Sequence, residues 1–226
     1  MRRGVGFLLG VLAVLGLARP AVADFQCSVL HICYYEGPAF QFRVADAETG
    51  RPLGDVHALA EWVLYGMHGL NGPLLVRDTV SGPDGRIAFP AWGPLRGPVS
   101  GLSLDHSPAI TLFKPGYKMF LLQNRGVPFG EDQTTRVRTF DYEGKTITVE
   151  PFRGTPEEWV EELEKAWRGA WAQRSDETML TFRVPYGNRL RRVWAERDKV
   201  PERYQSRGEF FWFVRGEIKH LEEGRR

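Results

Sequence analysis

Hydrophobic and polar positions change rhythm twice along this chain. Residues 39–45, Ala-Phe-Gln-Phe-Arg-Val-Ala, alternate with period two and predict a strand. Residues 56–65 predict a longer one. Val56, Ala58, Ala60, Trp62 and Leu64 are its even positions and are assigned to the core, while His57, Glu61 and Tyr65 fall on the other face. Residues 73–80 and 86–91 predict two more strands across the Ser81-Gly-Pro-Asp-Gly85 turn. Residues 110–113 and 117–122 predict a hairpin around Lys114-Pro-Gly116, and 135–140 with 145–150 a last hairpin around Glu143-Gly144. Between them, residues 92–108 read as a long Gly/Pro-rich loop.

The period changes at Thr155. Thr155-Pro-Glu-Glu158 has the form of a capping box with proline at the first helical position. Trp159, Val160, Leu163, Trp167 and Ala170 then follow with helical spacing. Pro185 and Gly187 break the next stretch, Leu190, Val193 and Trp194 fit a short second helix, and Phe210, Phe211, Val214, Ile218 and Leu221 share one face of a third. The expected fold class is mainly β: an antiparallel β-sandwich with an α-helical C-terminal extension.

The first 23 residues belong to neither rhythm. Arg2 and Arg3 precede an unbroken apolar or glycine stretch from Val5 to Leu17, and Ala21-Val22-Ala23 supplies small residues at a cleavage site. This is the layout of a secretory signal peptide cut before Asp24. A spanning anchor needs about 20 apolar residues, and Arg19-Pro20 ends this stretch early. A lipoprotein would need small residues just before Cys27 or Cys33, which are absent. The expected segments are a signal peptide at 1–23, a cysteine-bearing segment at 24–38, a sandwich at 39–152 and a helical extension at 153–226. The expected location is periplasmic or secreted.

Export changes the charge and the cysteines. The whole chain carries a formal net charge of +2. Without Arg2, Arg3 and Arg19 it holds 27 basic and 28 acidic residues, net −1. No global basic field remains to argue for nucleic acid. The two cysteines, Cys27 and Cys33, lie six apart and are expected to close a small structural disulfide in an oxidising compartment. The alternatives are free thiols or an exchange site, but exchange sites favour two intervening residues at a helix start.

A family resemblance runs from residue 42 to 123. Phe42-Arg-Val-Ala-Asp-Ala-Glu-Thr-Gly-Arg-Pro-Leu-Gly-Asp-Val56 resembles the opening of carboxypeptidase regulatory-like domains, the transthyretin-like or prealbumin-like sandwiches. Asp84-Gly-Arg-Ile-Ala-Phe89 is similar to their turn-and-strand motif, and Lys114-Pro-Gly-Tyr117 to their Gly-Tyr strand entry. The resemblance implies a prealbumin-like sandwich acting as a non-catalytic module for folding support or recognition.

Two enzyme families share the fold that the resemblance implies. Intradiol dioxygenases hold iron partly through a Pro-Ala-His-x-His-Phe strand. Pro108-Ala-Ile-Thr-Leu-Phe113 places Ile110 and Leu112 at the two histidine positions, and neither side chain can ligate. Hydroxyisourate hydrolases of the transthyretin type end in Tyr-Arg-Gly-Ser, whereas this chain ends Glu-Glu-Gly-Arg-Arg.

No cofactor or metal site is expected. The histidines His31, His57, His68, His106 and His220 form no ligand-spaced cluster. His57 and Glu61, four apart on a strand, would stand about 13 Å from each other. The leading expectation is a non-catalytic exported adaptor or binding protein that uses the sandwich to meet an envelope protein. The alternative is a carbohydrate binder or enzyme using the 57–68 strand and the 92–108 loop. Its candidate contacts are His57, Tyr65, His68, Trp92, Asp105 and His106. Residues 183–207 hold eight Lys or Arg against three acids, so Arg191 and Arg192 are candidates for an acidic partner or anionic surface.

Overall fold

A computed structural model describes residues 26–27, 33–66, 69–98, 102–104, 106–125, 140–169 and 175–224, with the backbone alone at 26–27. Among these residues ten strands come first: β1 (Gln26–Cys27), β2 (Cys33–Gly37), β3 (Phe40–Asp46), β4 (His57–Gly66), β5 (Gly69–Val80), β6 (Arg86–Phe89), β7 (Trp92–Arg96), β8 (Ala109–Phe113), β9 (Phe120–Gln123) and β10 (Thr146–Val149). Four α-helices follow: α1 (Pro156–Arg168), α2 (Asp176–Thr181), α3 (Arg183–Trp194) and α4 (Phe210–Glu223), with two short 3-10 turns before the last. Among the described residues no helix is long and apolar enough to cross a membrane.

The strands form three sheets, ordered β1-β2-β7, β10-β3-β6 and β5-β4-β8-β9. The fold is therefore mainly β with a helical C-terminal extension, as the sequence predicts. Most pairs are antiparallel. The exception is β10, which runs parallel to β3 with Thr146 opposite Arg43. Residues 140–145 do turn before β10, but residues 135–139 of the expected hairpin lie outside the described residues.

The main core lies between the sheets. Phe40, Phe42, Val44, Ile87 and Phe89 meet Ala58, Ala60, Trp62, Ile110 and Leu112 there. The even positions of β4 thus face inward. Ile110 and Leu112 are fully buried apolar residues of this core.

The segment from Phe42 to Val56 is shaped by its turns. Asp46 Oδ1 accepts from the backbone N–H of Glu48 and Thr49 and from the Thr49 hydroxyl, closing the turn after β3. Its Oδ2 accepts from the Tyr117 hydroxyl at 2.8 Å, which ties this turn to the loop between β8 and β9. The Thr49 N–H and the Tyr117 hydroxyl hold the Asp46 carboxyl below its ordinary pKa. Gly85 has φ +73°, and a Cβ there would run into the Val44 carbonyl oxygen.

The helices cover the outer face of the four-stranded sheet. The Thr155 side chain accepts from Glu158 N–H and the Glu158 carboxylate accepts from Thr155 N–H, completing the predicted capping box of α1. Trp159, Val160, Leu163 and Ala166 then point inward. With Tyr186, Leu190, Val193, Phe211 and Val214 they form a second core on Leu59, Val76 and Phe113.

Two expectations are corrected. Residues 92–96 of the expected loop are strand β7, paired with β2. Pro185 and Gly187 do not break a helix but lie inside α3, with Pro185 in its first turn, where a missing N–H leaves no bond unmade.

Candidate functional site

Among the described residues the sequence-predicted contacts do not converge on one site: Tyr65 and His106 meet, but His57 lies apart from them. His57 stands at the start of β4 opposite Phe113, whereas Tyr65 is at the far end of the same strand. Tyr65 packs edge-on against His106 with ring centroids 5.4 Å apart, and His106 Nδ1 lies 3.2 Å from the Asn124 carbonyl oxygen. His68 and Asp105 lie outside the described residues. Among the described residues no group of three His, Cys, Asp or Glu side chains is placed to hold a metal ion.

Trp92 is corrected from surface contact to core. It is 6% exposed, its indole lies against Gly37, and its ring meets Trp62 edge-on at 5.5 Å. A Cβ at position 37 would sit 2.7 Å from the indole Cε2. Pairing of β7 with β2 turns this side chain inward.

The basic stretch 183–207 is also largely neutralised. Arg189 is buried. Arg191 pairs with Glu222 at 3.4 Å and Arg192 with Asp55 at 2.9 Å. Arg197, Lys199 and Arg203 pair with Asp198, Glu196 and Glu157. Surface pairs of this kind contribute little stability, but they leave less unopposed charge than the sequence count implies.

Two arrangements emerge that the sequence reading did not assemble. The first is a largely buried polar network beneath α3. His57 and Arg189 are 0% and 1% exposed. Arg189 Nε donates to His57 Nδ1 at 2.9 Å, and its Nη2 donates to the carbonyl oxygens of Thr111 and His57. Its Nη1 reaches the Ala166 carbonyl oxygen on α1 at 3.4 Å. One guanidinium thus joins α3 to β4, β8 and α1.

On the other side of the imidazole, Nε2 lies 3.0 Å from Asp78 Oδ2, which also accepts from Asn188 Nδ2. Four residues further along β4, the Tyr186 hydroxyl donates to Glu61 Oε1 at 2.8 Å, both residues being buried. Burial first, and Arg189 second, press the His57 pKa down to about 4 against the pull of Asp78. Burial works to raise the Asp78 carboxyl, but hydrogen bonds from His57 and Asn188 outweigh it and hold that carboxyl low.

The second arrangement is on the surface of α4. Phe210, Phe211, Val214 and Leu221 face the helical core. Trp212 and Phe213 consequently point outward, 46% and 47% exposed, with ring centroids 5.1 Å apart. Arg207 and Arg215 are exposed on the same part of the chain. The helical spacing of the buried residues was legible, but the outward position of this pair depends on how α4 docks.

A concavity of about 640 Å³ lies between the sheet ends and α1 and is lined by Glu48, Lys118, Glu150, Arg153 and Glu161. Its charges are largely spent on each other, through Arg153 with Glu48 and Lys118 with Glu150.

No family model matches the chain, and no curated protein matches it. Solved structures align with parts of the chain. The full-length major pilin SpaD of Corynebacterium diphtheriae aligns at 13% identity and TM-score 0.27, over 54% of this chain and 33% of that one. The group B streptococcus pilus 2b backbone protein aligns at 13% and 0.24, over 57% and 52%. The dioxygenase domain of a carbohydrate-binding fusion from Streptomyces sp. SirexAA-E aligns at 18% and 0.25, over 52% and 82%. The chain thus spans about a third to a half of these pilins. Likenesses of this strength carry no argument.

Proposed function

We propose that this is an exported, non-catalytic adaptor that meets an envelope protein partner through α4. The observation that carries the reading is the Trp212–Phe213 pair, held outward by the buried face of its own helix. Paired, rigid aromatics with arginines nearby have the composition of interface hot spots. Burial of Trp92 and the separation of His57 from the Tyr65–His106 pair weigh against the carbohydrate-binding and enzymatic readings.

The finer assignments belong to the same proposal. The sandwich is of the carboxypeptidase regulatory-like type, supported by the Asp46 turn and its bond to Tyr117. Residues 1–23 direct export and are removed before Asp24. Cys27 and Cys33 close a disulfide, supported by their position directly opposite each other on β1 and β2. Mature protein from the native host should begin at Asp24, and reduction should raise its mass by two hydrogens.

The test of the function is capture from the native envelope after crosslinking, with the full chain and with the W212A/F213A double variant. A stoichiometric partner is expected for the full chain and should be lost from the double variant, with thermal unfolding unchanged. Equal capture by both chains would remove α4 from the interface, and no partner with either would end the adaptor reading.

A further inference from the structure

We propose that acid releases the helical extension from the sandwich by protonating His57. The argument starts from hydrogen-bond polarity. Arg189 Nε can only donate, so His57 Nδ1, 2.9 Å away, must present a lone pair. The proton of the neutral ring is then on Nε2, where it donates to Asp78 Oδ2 at 3.0 Å. A second proton could go only to Nδ1. There it would face the Arg189 N–H, donor against donor, and add a positive charge beside a buried guanidinium.

The groups around the ring offer little relief. On β4 itself Glu61 lies further along the same face and accepts from Tyr186. On β5, Asp78 is already shared with Asn188. On β8, the neighbours Thr111 and Phe113 are uncharged, and the Thr111 hydroxyl has no hydrogen-bond partner among the described residues. On α3, Arg192 adds a second positive charge that weighs against the protonated ring. On α1, contact is made through the Ala166 carbonyl oxygen, which Arg189 occupies.

The conflict is resolved when Arg189 withdraws. That side chain anchors α3 to His57, Thr111 and Ala166 at once. Helices α1, α3 and α4 share one apolar cluster on the sheet, so loosening one loosens the set. Release would uncover Leu59, Val76 and Phe113 on the sheet.

The direction in pH follows from proton uptake. A released His57 titrates near its ordinary value of 6.5, the docked one only near 4. Between those values the released form holds the extra proton. The docked-to-released ratio therefore falls as pH falls, by about tenfold per pH unit in that window.

Hydrogen exchange of the full chain, corrected for intrinsic pH effects, tests this from pH 7.5 to 4. Helices α1, α3 and α4 should lose protection toward pH 4 while β3 and β6 retain it. His57→Gln, which cannot take up the proton, should keep its helices docked through the same range. Helices equally protected at pH 7.5 and pH 4, or a variant that releases at the same pH as the natural chain, would overturn the proposal. Should the variant fail to dock even at pH 7.5, the ring nitrogens of His57 in the natural chain decide by NMR. Protonation in step with release supports the device. Release with a neutral ring, or a protonated ring under docked helices, refutes it.

Discussion

Strand β4 shows two kinds of burial on one backbone. Its inner face carries Ala58, Ala60, Trp62 and Leu64 into a core of apolar side chains. Its outer face carries His57, Leu59 and Glu61 under the helices, so two of three consecutive outward residues are polar yet almost fully buried. The inner face gains stability from area removed from water, with little directional demand. The outer face is set by matched donors and acceptors: Arg189 to His57, Tyr186 to Glu61, His57 and Asn188 to Asp78. Such a contact adds modest net stability, but losing one partner costs the desolvation of the other. The inner face should therefore tolerate conservative changes of shape, and the outer face conservative changes of polarity.

The hardest blow to the inner face is Trp62→Ala, expected to cost about 3–5 kcal/mol through the cavity it leaves. Denaturant unfolding followed by far-UV dichroism measures it. Arg189→Met on the outer face strips donors from His57 Nδ1 and three carbonyl oxygens, and about 3 kcal/mol is expected from the groups left unsatisfied. If both variants shift one shared transition, the two faces fold as one cooperative unit. A separate, earlier loss of helical signal in Arg189→Met would divide them. Tyr186→Phe keeps the ring and removes only the bond to Glu61, for about 1–2 kcal/mol. Trp212→Ala, outside both cores, should change stability by no more than about 0.5 kcal/mol, and its measurable consequence is weaker partner capture.

Much of the sandwich was legible in the sequence because strand burial there is one-sided or sharply alternating. Phe40, Phe42 and Val44 alternate with exposed Gln41 and Arg43, and β3 falls within one residue of its expected bounds. The capping box of α1 was legible because its chemistry is local. What escaped was the outer face of β4. His57 and Glu61 read as the face opposite the core, although Leu59 and Val63 between and beside them signal a strand buried on both sides. Their partners Asp78, Tyr186 and Arg189 lie 21, 125 and 132 residues away, and no spacing rule links such positions. Trp92 was misread for a related reason. Glycine and proline around it look like a loop, while its inward turn comes from pairing with Gly37 on a distant strand.

The path from β10 into α1 bears on how this protein can be dissected. β10 belongs to the sheet with β3 and β6, and α1 begins seven residues later on the back of the four-stranded sheet, where Trp159 stacks on Phe113 at 6.4 Å and Glu162 caps the Met119 N–H. The change from strands to helices near residue 153 is thus a seam in secondary structure that a shared core crosses. A gene cut there would not yield a smaller module. It would bare Leu59, Val76 and Phe113 and strand Glu61 without Tyr186, and the product should aggregate. Deletion mapping would then score every partner as lost, whatever surface that partner uses, whereas point substitutions on α4 leave the seam closed.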